Sequence, residues 1–388
     1  VSPDRRYLAL TRENTTSDVD LYLMDRETGQ TRRIAGEGDA EIMNLPQAFD
    51  PSGDRLYFLT DEDHEFRYLV RYDLDTGARE TVLRPDWDIL FADFSRDGKR
   101  LVVAINNDAR TEIQVYDHPR MLRVALPELP EADITSVTYS GDGTHMAFYA
   151  SSSRDPRDLF VVNGAGGAPV RLTRSLSPEI DRENLVEGLV ARFESFDGVT
   201  IPGILYRPHP ASGDHEVPAL VWVHGGPGGQ SRLGYNPLIQ ILANHGYAVY
   251  AINNRGSSGY GKTFYRLDDR RHGQGDLNDC VESKEMLHDT GYVLEDRIGI
   301  IGGSYGGYMV LAALAFRPDA FAAGVDIFGV SNWIRTLQSI PPWWESGRRS
   351  LYAELGDPVA DEEYLHGISP LFHADRITKP LLVLQGAN

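Results

Sequence analysis

Three features are scarce in this 388-residue chain: cysteine, positive charge and long apolar runs. Cys280 is the only cysteine, so neither an intrachain disulfide nor a multi-cysteine zinc site can form. Lysine and arginine number 38 against 57 aspartate and glutamate residues, which gives a net charge of −19. That charge argues against nucleic-acid binding and against an anionic membrane surface. No segment approaches a transmembrane span, so we expect a globular protein with no nucleic-acid and no membrane partner.

A short turn recurs along the first half of the chain. Its first residues are 48, 45 and 45 positions apart, and each copy precedes a short β run. The four copies are Ser2-Pro3-Asp4-Arg5, Asp50-Pro51-Ser52-Gly53, Ser95-Arg96-Asp97-Gly98 and Ser140-Gly141-Asp142-Gly143. A period in the mid-forties with several strands per unit predicts a β-propeller, with a β-sandwich as the alternative. We assign residues 1–183 to a partial β-propeller.

The second half of the chain has a different pattern of predicted strands and helices. Residues 192–203 predict a hairpin with an Asp-Gly turn. Apolar β runs then alternate with helical segments, which predicts a mainly parallel sheet covered on both faces. We assign residues 184–388 to an α/β-hydrolase domain.

The most informative segment surrounds Ser304. An apolar β run, residues 298–303, stops at Gly302-Gly303-Ser304-Tyr305-Gly306, and a helix-like run follows. The order of strand, Gly-x-Ser-x-Gly and helix predicts the nucleophile elbow of an α/β-hydrolase, which exposes the serine hydroxyl at the sheet edge. Glycines flank the serine because strand and helix approach closely there. An ordinary turn serine is the alternative.

Two further loops follow predicted strands. Residues 219–223 lead into His224-Gly225-Gly226-Pro227, the type of loop that supplies a backbone N–H to an oxyanion hole. Residues 248–252 lead into Asn253-Asn254-Arg255-Gly256-Ser257. For Arg255, an ion pair that holds this loop is favoured over the binding of a substrate carboxylate.

These motifs together resemble the prolyl oligopeptidase family of serine peptidases. The resemblance rests on the propeller and on four motifs: the Phe-Asp-Gly-x-x-Ile-Pro-Gly hairpin, His-Gly-Gly-Pro-Gly, Asn-Arg-Gly-Ser-x-Gly-Tyr-Gly and Gly-Gly-Ser-Tyr-Gly-Gly-Tyr. The His-Gly-Gly-Pro form looks most like the acylaminoacyl-peptidase branch, because the dipeptidyl-peptidase branch has a tyrosine where this chain has His224. The resemblance implies hydrolysis of short peptides, with the propeller excluding large substrates.

The resemblance also implies roles for particular residues. Ser304 matches the nucleophile, and the backbone N–H of Tyr305 matches one oxyanion-hole donor. Gly226 matches the second donor, with Gly225 as the fallback. Four aromatic residues after the next strand are expected near the substrate pocket, with loop packing an equal alternative for the last two: Phe328, Trp333, Trp343 and Trp344. We expect no metal and no cofactor.

Two members of a catalytic triad are not identified. In α/β-hydrolases the aspartate and histidine follow the serine, and residues 380–388 resemble the strand and loop that lead into that aspartate. We assign no base to His366 or His373 and treat Asp326 as a weak alternative acid. The chain also begins within a repeat, with four units against the family's seven blades. We therefore expect truncation at both ends and little activity in this chain.

The sequence alone is compatible with several functions. Besides an acylaminoacyl-peptidase or oligopeptidase, the chain is compatible with a dipeptidyl peptidase, with an esterase on the same fold, and with a non-catalytic fragment or propeller binding protein. The expected partners are short peptide substrates, and homo-oligomerisation stays open. A single cysteine favours the cytoplasm, with the periplasm as the alternative.

Overall fold

The structure is a computed structural model that describes residues 1–36, 38, 40–130, 132–163 and 167–386. The backbone packs into two units. Unit 1 comprises Val1–Ser177 with Gly259–Lys262, and unit 2 comprises Pro178–Ser258 with Thr263–Asn388. Within the described residues, no helix combines the length and the apolar character needed to cross a bilayer.

The described part of unit 1 contains four antiparallel sheets that follow one another along the chain. The first has three strands, β1 (Tyr7–Thr15), β2 (Asp18–Asp25) and β3 (Thr31–Ala35). The second has β4 (Asn44–Phe49), β5 (Arg55–Thr60), β6 (Tyr68–Asp73) and β7 (Arg79–Leu83). The third has β8 (Ile89–Phe94), β9 (Arg100–Asn107), β10 (Arg110–Asp117) and β11 (Leu122–Arg123). The fourth has β12 (Asp133–Tyr139), β13 (His145–Ser151), β14 (Asp158–Asn163) and β15 (Val170–Arg171).

Each of these sheets is one sequence repeat. Every strand pairs with the next along the chain, which is the up-and-down order of a propeller blade. Apolar side chains from successive sheets pack together, as where Leu59 and Leu69 of the second sheet meet Leu101 and Val103 of the third. The prediction of a β-propeller in the first half is therefore confirmed, and the β-sandwich alternative is wrong.

The recurring turn has the same hydrogen bonds in each repeat. The backbone N–H of its fourth residue donates to the carbonyl of its first, as from Gly98 to Ser95 at 2.8 Å and from Gly143 to Ser140 at 2.9 Å. Gly98 and Gly143 have φ of 72° and 73°, a region that favours glycine. The first repeat has Arg5 at this position with φ of 63°. The period is therefore the spacing between identical tight turns.

Unit 2 is built on one seven-stranded sheet with the order β16-β17-β19-β18-β20-β21-β22. Its strands are β16 (Gly188–Glu194), β17 (Thr200–Tyr206), β18 (Val217–Val223), β19 (Ala248–Ile252), β20 (Val293–Gly303), β21 (Gly324–Ile327) and β22 (Leu381–Leu384). The pairs β16/β17 and β17/β19 are antiparallel, and all other neighbours are parallel. This is the mainly parallel sheet that the alternating pattern predicts.

Short helices connect these strands. They are α1 (Pro237–Asn244), α2 (Lys262–Tyr265), α3 (Gly275–Asp289), α4 (Tyr305–Phe316), α5 (Trp333–Gln338), α6 (Glu345–Leu355) and α7 (Glu362–Gly367). Three 3₁₀ segments are Arg182–Asn184, Pro342–Trp344 and Pro370–Arg376. Helix α4 is apolar on all sides and buried over almost its whole length, which places it in the centre of the unit.

The strand order determines where the functional loops meet. The chain passes from β18 outward to β19 and then crosses to β20 on the other side of β18. In open α/β sheets, ligands bind outside the carboxyl ends of the strands where the order reverses in this way. Val223, the last residue of β18, pairs with Gly302 near the end of β20. The loops after these two strands therefore lie next to each other.

Candidate active site

Ser304 sits between the end of β20 and the start of α4 with φ of 57° and ψ of −117°. This left-handed conformation is costly for a residue with a side chain and persists only where the surroundings hold it. The Ser304 N–H donates to Ile327 O at 3.0 Å, and its carbonyl accepts the Tyr308 N–H at 3.0 Å. The Ser304 side chain is exposed. The geometry is that of a nucleophile elbow.

The glycines around Ser304 leave no space for a side chain. A methyl group on Gly302 would lie 2.5 Å from Gly306 C and 2.8 Å from Val223 O. A methyl group on Gly306 would overlap Val223 O outright. The Gly-x-Ser-x-Gly pattern is therefore a packing requirement between β18, β20 and α4.

Gly306→Ala is expected to lower the free energy of unfolding by about 1–3 kcal/mol or more, because its methyl group must displace the β18 backbone. Gly347→Ala is the matched control, since Gly347 lies in α6 and a methyl group there meets nothing within 4 Å. That control is expected to be neutral or slightly stabilising. Urea unfolding curves of both variants test this, and equal stabilities would contradict it.

The loop after β18 reaches the nucleophile. A methyl group on Gly225 would lie 3.4 Å from Ser304 Cβ and 3.9 Å from Ser304 Oγ. Gly226 has φ of 155°, a conformation that glycine adopts far more readily than other residues. The structure thus brings Gly225 of the predicted oxyanion loop beside Ser304, with Gly226 the next residue of the same loop.

His224 is engaged within the loops of this region. Its Nδ1 lies 2.8 Å from Gly225 O, and its Nε2 lies 2.8 Å from Ser257 Oγ. Burial lowers the pKa of His224, so the neutral ring is favoured. Because both nitrogens have partners, His224 joins two loops and is not available to accept a proton from Ser304.

Tyr305 has a buried side chain, and its backbone N–H lies at the start of α4. As the first residue of α4, it has a backbone N–H with no acceptor within the helix. Its ring is 2% exposed. Its hydroxyl lies 2.6 Å from Asp276 Oδ2 and 2.7 Å from His272 Nδ1. The structure therefore places a polar cluster under the residue predicted to supply an oxyanion donor.

Sequence reasoning missed this cluster. His272 precedes α3 and is completely buried. The ligand atoms of Asp268, His272 and Asp276 lie within 4.8 Å of one another, a spacing that a metal ion could bridge. The Tyr305 hydroxyl, however, already bridges His272 and Asp276. The four-residue spacing of the three side chains was the available sequence signal.

The buried carboxyl group of Asp268 predicts a pH effect on stability. Burial, reinforced by the charge of Asp276, raises the pKa of Asp268 to about 9. In the unfolded chain an aspartate has a pKa of about 3.9. Between these values the folded state holds a proton that the unfolded state has released, so stability falls as the pH rises.

We therefore expect Asp268→Asn to lose less stability between pH 5 and pH 8 than the unsubstituted chain, measured by urea unfolding at several pH values. Asp142→Asn is the control. The Ser140 hydroxyl holds the pKa of Asp142 below its usual range. Asp142 is therefore ionised in both the folded and the unfolded state between pH 5 and pH 8. Equal pH slopes for Asp268→Asn and the unsubstituted chain would contradict the assignment.

Arg255 forms the ion pair that the sequence favoured. Its guanidinium donates to Asp279 from Nε at 2.9 Å and to Asp197 from Nη1 at 2.8 Å. Its backbone N–H also donates to Asp279 Oδ2 at 2.9 Å. These bonds hold the loop after β19, which carries Ser257 against His224.

Of the four aromatic residues predicted near the substrate pocket, three are exposed and Trp333 is buried. Phe328 is 56% exposed, has φ of 45°, and its ring would lie 3.5 Å from a methyl group on Gly303. Trp333 is only 4% exposed, and its ring packs on Tyr305 and Tyr308. Phe328 thus lies open beside the elbow, whereas Trp333 supports it from within the core. Two further residues, Trp343 and Trp344, are exposed on a 3₁₀ segment.

The described residues provide no base for Ser304, whose Oγ has no hydrogen-bond partner among them. His366 stacks on Phe372, and His373 packs on Phe316 at the far end of α4, about 18 Å of helix from Ser304. The Asp326 carboxylate is buried and accepts the Gly329 N–H at 2.8 Å, so it braces the loop after β21. The last two residues of the segment resembling the approach to the catalytic aspartate lie outside the described residues.

Comparison with known sequences agrees with this geometry. The sequence model "Prolyl oligopeptidase, N-terminal beta-propeller domain" matches residues 1–171, and "Prolyl oligopeptidase family" matches residues 234–388. A serine at a strand-to-helix elbow, preceded by a propeller, defines a propeller-bearing α/β-hydrolase. The chain belongs to the prolyl oligopeptidase family, as its motifs predicted.

Particular relatives extend the comparison. Dipeptidyl aminopeptidase BIII of Pseudoxanthomonas mexicana is 33% identical over 89% of this chain, and dipeptidyl peptidase family member 6 of Caenorhabditis elegans is 30% identical over 90%. The chain covers 52% and 51% of these relatives, so it spans about half the length of the curated relatives it matches. A puromycin-hydrolyzing peptidase of Mycobacterium tuberculosis shares the fold with a TM-score of 0.86 at 24% identity, over 100% of this chain and 60% of that one.

Proposed function

We propose that this chain carries the nucleophile and the oxyanion hole of a serine peptidase that hydrolyses short peptides by acyl transfer. The observation that carries the proposal is the exposed Ser304 side chain in a strained elbow, with the Gly225-Gly226 loop against it. Ser304 Oγ bonds to the carbonyl carbon of the substrate while a base takes its proton. The amine leaves with that proton, and water then releases the acyl group.

Backbone N–H groups would stabilise the transition state of both steps. Tyr305 and Gly226 are the proposed donors to the carbonyl oxygen as it becomes negative, each worth about 3 kcal/mol. Phe328 is the proposed apolar wall of the pocket for the residue before the scissile bond, because it is exposed beside the elbow.

Two specificities compete for this site. His224, in place of a tyrosine, supports an acylaminoacyl-peptidase or oligopeptidase, which we favour. The names of the relatives that are 33% and 30% identical support a dipeptidyl peptidase instead. The net charge of −19 is compatible with a substrate that has a free amino terminus.

A substrate panel on the longest polypeptide that contains this chain separates these functions. We expect an N-acylated peptide anilide to be cleaved with a kcat/KM at least about tenfold above that of a free-amino dipeptide anilide. The reverse order would favour the dipeptidyl peptidase. Cleavage of simple esters alone would indicate an esterase. No turnover and no labelling of Ser304 by a fluorophosphonate would indicate a non-catalytic protein and refute the proposal.

The 388-residue chain alone is expected to be nearly inactive in the same panel. A serine without a base is a weak nucleophile, and the described residues place no histidine at Ser304 Oγ. We expect a rate at least about a thousandfold below that of the longest polypeptide. Comparable rates would show that a non-standard base operates within this chain.

We also propose residence in a reducing compartment such as the cytoplasm. The support is the single cysteine of the sequence, which is buried as a free thiol in α3. Fractionation of cells followed by immunoblotting tests this, and recovery in the periplasm would refute it.

A further inference from the structure

We propose that Asp276 and His272 are positioning residues for the oxyanion hole, acting through the side chain of Tyr305. This inference rests on the proposed function, because it takes the Tyr305 backbone N–H as an oxyanion donor. It adds a role for a buried cluster that lies beneath the oxyanion donor.

The hydroxyl of Tyr305 is held from two sides. It donates to Asp276 Oδ2 at 2.6 Å, and it lies 2.7 Å from His272 Nδ1. Because the hydroxyl proton goes to the carboxylate, His272 Nδ1–H is the donor in the second bond. All three side chains are at most 2% exposed, so water does not compete for these bonds.

Asp276 is itself anchored to the backbone at the start of α3. It accepts the N–H groups of Gly273 at 3.1 Å, Gln274 at 2.9 Å and Leu277 at 2.8 Å. With the Tyr305 hydroxyl, four donors surround this carboxyl group and offset part of the cost of burying it. The chain of bonds therefore connects the first turn of α3 to the first residue of α4.

This connection matters because the elbow is strained. Ser304 has φ of 57°, and only the surrounding structure keeps it and the next residue in place. Oxyanion stabilisation depends on donors placed for the transition state, and a shift of about 1 Å can cost about a hundredfold in rate. Trp333 packs on the same ring but provides no polar anchor. The hydroxyl bonds therefore determine where the Tyr305 N–H points.

Tyr305→Phe and Asp276→Asn test this in the longest polypeptide that contains the chain. We expect each to lower kcat by about 10- to 100-fold with KM changed less than about threefold, because a misplaced donor is felt mainly in the transition state. Binding of a peptide boronic acid, which mimics the tetrahedral state, is expected to weaken by a similar factor. Binding of the cleaved peptide product is expected to stay unchanged.

Tyr308→Phe is the matched control. Tyr308 lies one turn further along α4, is completely buried, and its hydroxyl makes no hydrogen bond among the described residues. We expect its kcat to match that of the unsubstituted protein. Equal kcat for Tyr305→Phe and Tyr308→Phe would overturn the proposal. So would a loss of kcat and of product binding in the same proportion, which indicates general damage to the fold.

Two further outcomes are decisive. If the unsubstituted protein neither cleaves a peptide nor reacts with a fluorophosphonate, the proposed function is refuted. If the unsubstituted protein is active and Tyr305→Phe has the same kcat, only the positioning role of Asp276 and His272 is refuted. A stoichiometric metal that is lost with Asp276→Asn, together with inactivation by a chelator, would replace the positioning role with a metal site. We expect chelation to leave kcat unchanged.

Discussion

Ser304→Ala is expected to lower the peptidase kcat of the longest polypeptide carrying this chain by about four to six orders of magnitude. The substitution removes the hydroxyl that forms the covalent bond and leaves only the oxyanion donors to act on the substrate. Because the Ser304 side chain is exposed, its loss leaves no cavity, and stability should change little. Steady-state kinetics and a urea unfolding curve measure the two effects separately.

Ser339→Ala provides the comparison, since Ser339 is an exposed serine at the end of α5. It is expected to keep full activity and full labelling by a fluorophosphonate. Retention of labelling by Ser304→Ala would mean that another residue is the nucleophile, and the elbow would then have only a structural role.

Arg255→Met is expected to lower the free energy of unfolding by about 3–5 kcal/mol, the usual cost of removing one partner of a buried ion pair. Asp279 is completely buried and accepts bonds from the Arg255 guanidinium, the Arg255 N–H and the Ser195 hydroxyl. Without the guanidinium its negative charge is left unpaired. Four of the five tryptophans lie in unit 2, so fluorescence during urea unfolding reports on the correct unit.

Arg270→Met tests whether burial is the cause. Arg270 pairs with Asp361 at 2.8 Å in the same unit, but its side chain is 45% exposed, so a loss of at most about 1 kcal/mol is expected. The double variant Arg255→Met/Asp279→Asn should recover part of the stability, because the unpaired charge is removed with its partner. A single variant no less stable than Arg270→Met would show that water reaches Asp279.

What the sequence could predict here is what depends on local stereochemistry. Gly302 and Gly306 flank Ser304 because β18, β20 and α4 leave no room for a Cβ there. Such a requirement fixes the residue type at each position, so it is visible in the sequence. The period of the propeller repeat could also be predicted from the sequence, because it depends on a turn with local stereochemical requirements. Each repeat contains a tight turn whose residues, such as Ser95 and Gly98, hydrogen-bond within a few positions of one another.

The tertiary structure decided everything that joins distant segments. Arg255 meets Asp197 and Asp279 at separations of 58 and 24 residues, and Tyr305 meets Asp276 at a separation of 29. The family resemblance predicted Trp333 near the substrate pocket, yet the packing of α5 places its ring against Tyr305 and Tyr308 in the core. Local propensity carries no information about such contacts. They arise only when burial of apolar surface brings helices and loops together and obliges each buried polar group to find a partner.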